Sequence, residues 1–205
     1  MVVKAVLVMP LKSFANGKAR LAPALDAACR ERLSRECAER VVESARGVPV
    51  LVVTGESDSD DVRIWARDRS ITCITQSSPG LNGAVTDGVA WARMNGFDIA
   101  IIAHSDVPLA DDVAPYVDVD NVVIVPDTAN DGTNLMSLPT AAEFTFHYGP
   151  GSFALHVNEA MHRGFAPRIA LSDEWSRDLD NPEDLNDPRI REVFPWLPTS
   201  QASPR

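Results

Sequence analysis

The chain lacks any run of about 18 apolar residues, the length a bilayer-spanning helix requires. No transmembrane segment is therefore expected. Positive charge is also scarce: 19 Lys and Arg stand against 29 Asp and Glu, giving a formal net charge of -10 and a sequence pI near 4.8. A nucleic-acid surface needs a basic face to neutralise phosphates, so neither nucleic acid nor a membrane is expected as a partner. The three cysteines, Cys29, Cys37 and Cys73, show no CxxC spacing and no paired His motif. They read as fillers of apolar positions rather than as metal ligands or disulfides. The opening MVVKAVLVMPLKS has no charged leader region or small-residue cleavage site, so it reads as a buried strand of a cytoplasmic protein.

What the chain does have is a 45% hydrophobic fraction over 205 residues, enough for the core of one α/β domain. Val2 to Met9 is almost continuously apolar, as in a strand covered on both faces. Leu33, Cys37, Val41 and Ala45 recur at four-residue spacing, which predicts a long amphipathic helix from Pro23 to Arg46. Further strands are expected at Val50 to Thr54, Ile71 to Thr75, Ile99 to Ala103 and Val122 to Asp127, with a turn and a second extended segment in DGTNLMSLP and a late strand at Arg168 to Leu171. Helices are expected at Val62 to Arg69, Ala84 to Met94 and Ala154 to Arg163, with a last helical turn capped by Asn181 at Pro182. Strand followed by helix, repeated, argues for right-handed βαβ units in a mostly parallel sheet with helices on both faces. Residues 1-195 would form this domain and 196-205 a frayed tail.

In such sheets ligands sit beyond the carboxyl ends of the strands. Three loops fall there. PLKSFANGKARL, directly after the first strand, carries Lys12, Lys18 and Arg20 in an otherwise acidic chain, which suits an anionic ligand such as a triphosphate and equally suits a solvated loop. SSPGLNGA offers Asn82 and Gly83 at a helix start. HSDVPL places Asp106 just past an apolar strand, where it can hold a divalent cation or cap a helix beginning near Leu109. Farther on, Asp178 and Asp180 in DLDNPEDL point the same way if that segment is extended, so one can complete a metal site, although Asp180 also fits a helix cap. GTN, with Thr133, and YGPGSF, with Gly149 and Ser152, suit a phosphate or carboxylate; Ser152 alone also fits a cap. His104 reads as packed rather than catalytic.

Together PLKSFANGKARL, GLNGAV, SDVPL, PDTANDGTN, FHYGPGSFALH and DLDNPEDL resemble the 2-phospho-L-lactate guanylyltransferase family of coenzyme F-420 biosynthesis, within the MobA-like nucleotidyltransferases. The motifs keep their order across residues 5 to 187. The resemblance implies a single Rossmann-like nucleotidyltransferase domain that joins GTP to a small phosphorylated acid (2-phospho-L-lactate, phosphoenolpyruvate or 3-phospho-D-glycerate) and releases diphosphate. It further implies Lys18 and Arg20 on the triphosphate with Lys12 nearby, Asn82 and Gly83 against the guanosine, and Asp106 on magnesium with Asp178 or Asp180. Thr133, Gly149 and Ser152 would hold the acid, and a homodimer is compatible with it. The chain departs from the family wording at His104 and Ser105, where small or apolar residues are usual, and at DLDN.

Overall fold

The computed structural model describes residues 3–56 and 60–198. Seven strands form one sheet in the order β3-β2-β1-β4-β6-β5-β7. They are β1 (Ala5–Pro10), β2 (Val50–Thr54), β3 (Thr72–Thr75), β4 (Ile99–Ala103), β5 (Val123–Pro126), β6 (Thr133–Pro139) and β7 (Arg168–Ile169). β1, β2, β3 and β4 run parallel. β6 lies antiparallel between β4 and β5, and β5 pairs β7 in parallel, so the sheet is mostly parallel with one reversed strand.

The apolar runs explain the layering. Successive strand residues face opposite sides, so Leu7, Met9, Val52, Ile99 and Ile101 join one core while Val6, Val8, Leu51, Val53, Ala100 and Ile102 join the other. α1 (Ala27–Ser44) and α2 (Asp60–Asp68) cover the first face through Ala38, Val41, Val62 and Trp65. α3 (Gly80–Met94) and α4 (Ser152–His162) cover the second through Ala84, Val85, Val89 and Ala160. A third cluster joins Leu21, Leu33 and Cys37 to Leu179, Leu185 and Ile190, the last of these from α5 (Pro188–Val193). All three cysteines are free. No helix of the described residues is long and apolar enough to cross a membrane.

Several boundaries differ from expectation for local reasons. α1 starts at Asp26, whose carboxylate accepts from Cys29 N at 2.8 Å, and not at Pro23, because the cap needs a side-chain oxygen. α3 starts at Gly80 rather than Ala84. Gly83, which reads as a turn residue, lies inside the first helical turn, where a Cβ would meet Ser78 O at 2.4 Å. Asn181 caps nothing; Asp187 caps α5 through Arg189 N, and Asp184 accepts from Asp180 N and Asn181 N. The expected tail also begins too early: Leu197 is buried, and Trp196 donates to Glu36 at 2.7 Å beneath the Arg32 guanidinium. Val2 and residues 199–205 of that tail lie outside the described residues.

Gly88 marks where α3 presses on the sheet. A Cβ there would stand 2.4 Å from Val8 Cγ1 and 3.1 Å from Val53 Cγ2. Gly88→Ala should therefore lower unfolding stability by roughly 1–3 kcal/mol through overpacking, although Ala is the better helix former by about 1 kcal/mol. Urea unfolding midpoints measure this, and a raised midpoint would show that the contact is slack.

Candidate active site

The loop after β1 is pinned rather than free. Phe14 is fully buried with its ring edge-on to Trp65 at 5.4 Å, and Asp61 of α2 accepts from Phe14 N at 2.8 Å and from Ser13 Oγ at 3.3 Å. Thr54 Oγ1 holds Lys12 O at 3.2 Å. At Gly17 a Cβ would meet Ser34 Oγ of α1 at 2.5 Å, so glycine lets the loop lie against that helix.

This anchoring drives Lys18 inward. It adopts a left-handed backbone (φ 57), and its side chain is only 4% exposed. Nζ donates to Leu179 O at 2.7 Å and stands 3.8 Å from Asp106 Oδ2. For Lys18 the solvated-loop alternative fails, because a lysine kept for solubility would extend into water. Leu179 N in turn donates to Asp106 O at 3.1 Å. The Leu179 side chain sits in the third core cluster while Asp178 and Asp180, on either side of it, line the cleft, as alternation in an extended segment requires. Arg20, largely exposed, pairs with Asp180 at 3.0 Å.

Three recesses follow one another along this edge. One, of about 470 Å³, is lined by Lys12, Asn16, Gly55, Gln76 and Ser77 to Gly80. A middle one, of about 230 Å³, has Lys12, Lys18, Ser34, Asp106 and Asp180 on its walls. The third, of about 550 Å³, takes in Arg20, Asp106, Thr133, Gly149, Ser152, Asp178 and Asp180. The expected cations, carboxylates and acid-binding residues therefore meet in one cleft. Asn82 does something else: both ends of its amide are spent on the Tyr148 backbone, accepting from N at 2.7 Å and donating to O at 3.2 Å.

The carboxylates divide electrostatically. Burial pushes Asp106 up, but the neighbouring Lys18 and His104 outweigh it, and its pKa lies below the ordinary value. Asp178 and Asp180 are held above theirs, by burial first and then by the Asp106 charge. Asp106 Oδ1 is buried without a hydrogen-bond partner. No helix follows at Leu109, so Asp106 is not a helix cap, and Asp180 caps none either. Among the described residues no group of three or more His, Cys, Asp or Glu could by itself hold a metal ion. An orphaned oxygen with two carboxylates lining the same recess fits magnesium, which takes one or two protein carboxylates and completes its shell with phosphate oxygens and water.

The remaining wall is built by β6 and the turn before α4. Asp127 accepts from Asp131 N and Gly132 N, and a Cβ on Gly132 would clash with it at 2.7 Å. Asp131 accepts from Gly151 N at 3.1 Å. Gly149 (φ 135) and Gly151 (φ 72) need backbone that favours glycine, and Gly151, not Ser152, occupies the α4 cap position. Thr133 Oγ1 stands 3.0 Å from His156 Nδ1, while His156 Nε2 accepts from His147 N at 2.9 Å. Nδ1 therefore carries the hydrogen and donates to Thr133. Asp61, Asp127, Asp131 and His156 are the positioning residues that sequence reasoning missed; only the Asp and Gly spacing of PDTANDGTN signalled one of them, as a side-chain-closed turn.

Residues 5–190 match the family model described as "Guanylyl transferase CofC like". A phosphoenolpyruvate guanylyltransferase of Rubrobacter xylanophilus is 34% identical over 184 residues, covering 87% of this chain and 90% of that protein. A 2-phospho-L-lactate guanylyltransferase of Methanothermobacter thermautotrophicus is 31% identical over 192 residues, covering 90% of this chain and 83% of that one. Among solved structures, 4-diphosphocytidyl-2C-methyl-D-erythritol synthase from Anaerococcus prevotii superposes with a TM-score of 0.60 at 10% identity, covering 95% of this chain and 98% of that chain. A Desulfovibrio desulfuricans structure classed with the nucleotide-diphospho-sugar transferases reaches 0.79 at 12% identity, covering 95% of each chain. These two likenesses bear on the fold alone.

Burial, then the nearby His147 and His104, holds the His156 pKa down at about 4, against about 6.5 in an unfolded chain. Between those values the unfolded chain binds the extra proton, so stability should fall as pH drops from 6.5 to 4, by about 3 kcal/mol from this group. A proton-resonance titration of the folded protein checks this; a His156 midpoint near 6.5 would contradict it.

Proposed function

The chain belongs to the CofC-like guanylyl transferase family and is a nucleotidyltransferase, and on that premise we propose that it transfers GMP from GTP to a small phosphorylated three-carbon acid. The acid is 2-phospho-L-lactate, phosphoenolpyruvate or 3-phospho-D-glycerate, and the step belongs to coenzyme F-420 biosynthesis. The observation that carries this reading is the buried Lys18 ammonium beside Asp106, where the middle recess opens toward the other two. The guanosine takes the recess at Ser77 to Gly80, where Gly83 lets α3 lie close against Ser78 of its wall, while Asn82 holds Tyr148 on the wall of the neighbouring acid recess. The triphosphate crosses Lys12, Lys18 and Arg20, and the acid takes the recess of Thr133, Gly149 and Ser152.

In this arrangement a phosphate oxygen of the acid forms a bond to the α-phosphorus of GTP while the bridging oxygen between α- and β-phosphorus leaves with diphosphate. A phosphate dianion is already a competent nucleophile, so no protein nucleophile is needed. Lys18, held on Leu179 O, meets the charge that develops on the α-phosphate, and Arg20 swings from Asp180 to the leaving diphosphate. Magnesium on Asp106, with Asp178 or Asp180, supplies neutralisation of phosphate charge when bound. Thr133, its hydroxyl hydrogen left free by the His156 donor, binds and orients the acid.

Diphosphate release from each of the four nucleoside triphosphates with each of the three acids, with product masses, tests the reaction; a chain that turns over none of these pairs is not this enzyme. Asp106→Ala should lower turnover about a hundredfold or more, several kcal/mol of transition-state stabilisation. Near-full turnover in that variant would remove Asp106 from the metal site. Lys18→Glu should abolish nucleotide binding or turnover in a chain whose circular dichroism still reports the fold, and unchanged kinetics would take Lys18 off the triphosphate.

A further inference from the structure

The sheet ends at β7 with its outer edge open. Arg168 N donates to Val122 O at 2.8 Å and Ala170 N to Ile124 O at 2.9 Å, so these two residues turn their backbone toward β5. The N–H and C=O of Ile169, between them, therefore point outward, as on any edge strand. Neither Ile169 N nor Leu171 N donates to a group among the described residues. Natural sheets guard such edges with charge, proline or a covering element, because an open edge is a template for another strand. Pro167 blunts this one only at its start.

The edge has two unlike faces. Ile169 lies beside Ile124 of the second core and is 40% exposed, and Leu171, two residues on, is 83% exposed, the most of any large apolar side chain among the described residues. Ala170 instead packs on the first core, with Tyr116. There Asp111, Glu174 and Arg168 lie close enough for their charges to act on the Tyr116 hydroxyl. Asp118 stands 3.9 Å from Arg168, and Asp173 is exposed in the turn after β7. Four carboxylates thus face one guanidinium, which is already spent on Asp118 and the Pro115 carbonyl. Burial, then the Glu174 charge, holds the Asp111 pKa above its ordinary value. None of these residues lines a recess of the cleft.

We propose that the β7 edge is a docking surface for an extended segment of another protein in which apolar and basic residues alternate. The segment adds as an eighth strand, its backbone pairing with the outward groups of Ile169 and Leu171. Directly opposed residues of paired strands share a face. Its apolar side chains therefore cover Ile169 and Leu171, while its Lys or Arg side chains meet the carboxylates on the other face. The backbone bonds supply affinity, and the charges supply rate and selectivity. A second copy of this chain is the wrong occupant, because a two-fold pairing of β7 edges sets each acidic rim against its equal, in a chain of net charge -10. The surface is independent of the guanylyl-transfer reading.

Amide resonances of the full chain test the surface with three capped heptapeptides. One alternates Lys and Val, one alternates Glu and Val, and one gathers the Lys and Val of the first into two blocks. Expected is that the alternating Lys and Val peptide shifts the Ile169 and Leu171 amides and slows their hydrogen exchange. It should bind at least tenfold more tightly than the other two, and more weakly as salt is raised. Leu171→Ser, and Asp111→Asn combined with Glu174→Gln, should each weaken it threefold or more with thermal midpoints close to wild type. Equal binding of all three peptides, shifts away from β7, variants that bind like wild type, or no binding overturns the proposal. So does a change in the same two amides on dilution without peptide, which makes the edge a contact between copies.

Discussion

The structure turns on one buried cation. An ammonium taken out of water costs several kcal/mol unless it is paired and hydrogen-bonded, and Lys18 meets that demand with Asp106 and the Leu179 carbonyl. Each partner comes from a different part of the chain: the loop after β1, the loop after β4, and the extended segment leading to α5. The contact Leu179 N to Asp106 O closes the arrangement. Asp178 and Asp180 face the cleft because Leu179, between them, is fixed in the core beside Leu21.

The same set of contacts describes a site waiting for charge. Asp106, Asp178 and Asp180 repel one another, and the pKa values of the latter two rise accordingly. Lys18 and Arg20 stand in as counter-ions. In the proposed reaction a nucleotide with its magnesium would bring both the phosphates that the cations require and the positive charge that the carboxylates require, so binding would exchange one set of pairs for another and leave no buried charge alone. An acidic protein can in this way hold a highly anionic substrate with only a few basic side chains.

Much of this was legible in the sequence because it is local. Apolar runs flanked by glycine and proline mark buried strands, and β2 and β4 fall where the apolar runs place them. Lys18, Asp106 and the Asp178 and Asp180 pair could be singled out because each follows an element whose direction is known. Asn82 shows where local reading stops. Its amide in a glycine-bearing turn suggests contact with a base, yet it clamps Tyr148, 66 residues away. Asp61 and His156 gave no local sign, since each matters only through backbone and side-chain groups it meets from another element.

The sequence by itself determined the layered α/β fold, the loops that gather at one sheet edge and the charges those loops carry, because hydrophobic period and turn chemistry act within about ten residues of chain. Only the tertiary structure decided that β6 enters between β4 and β5 in the reverse direction, which sets Asn134 against His104. It likewise decided that Lys18 is buried rather than solvated. Both outcomes depend on which backbone and side-chain groups remain to be satisfied once the elements have packed, and that condition exists only in the folded chain.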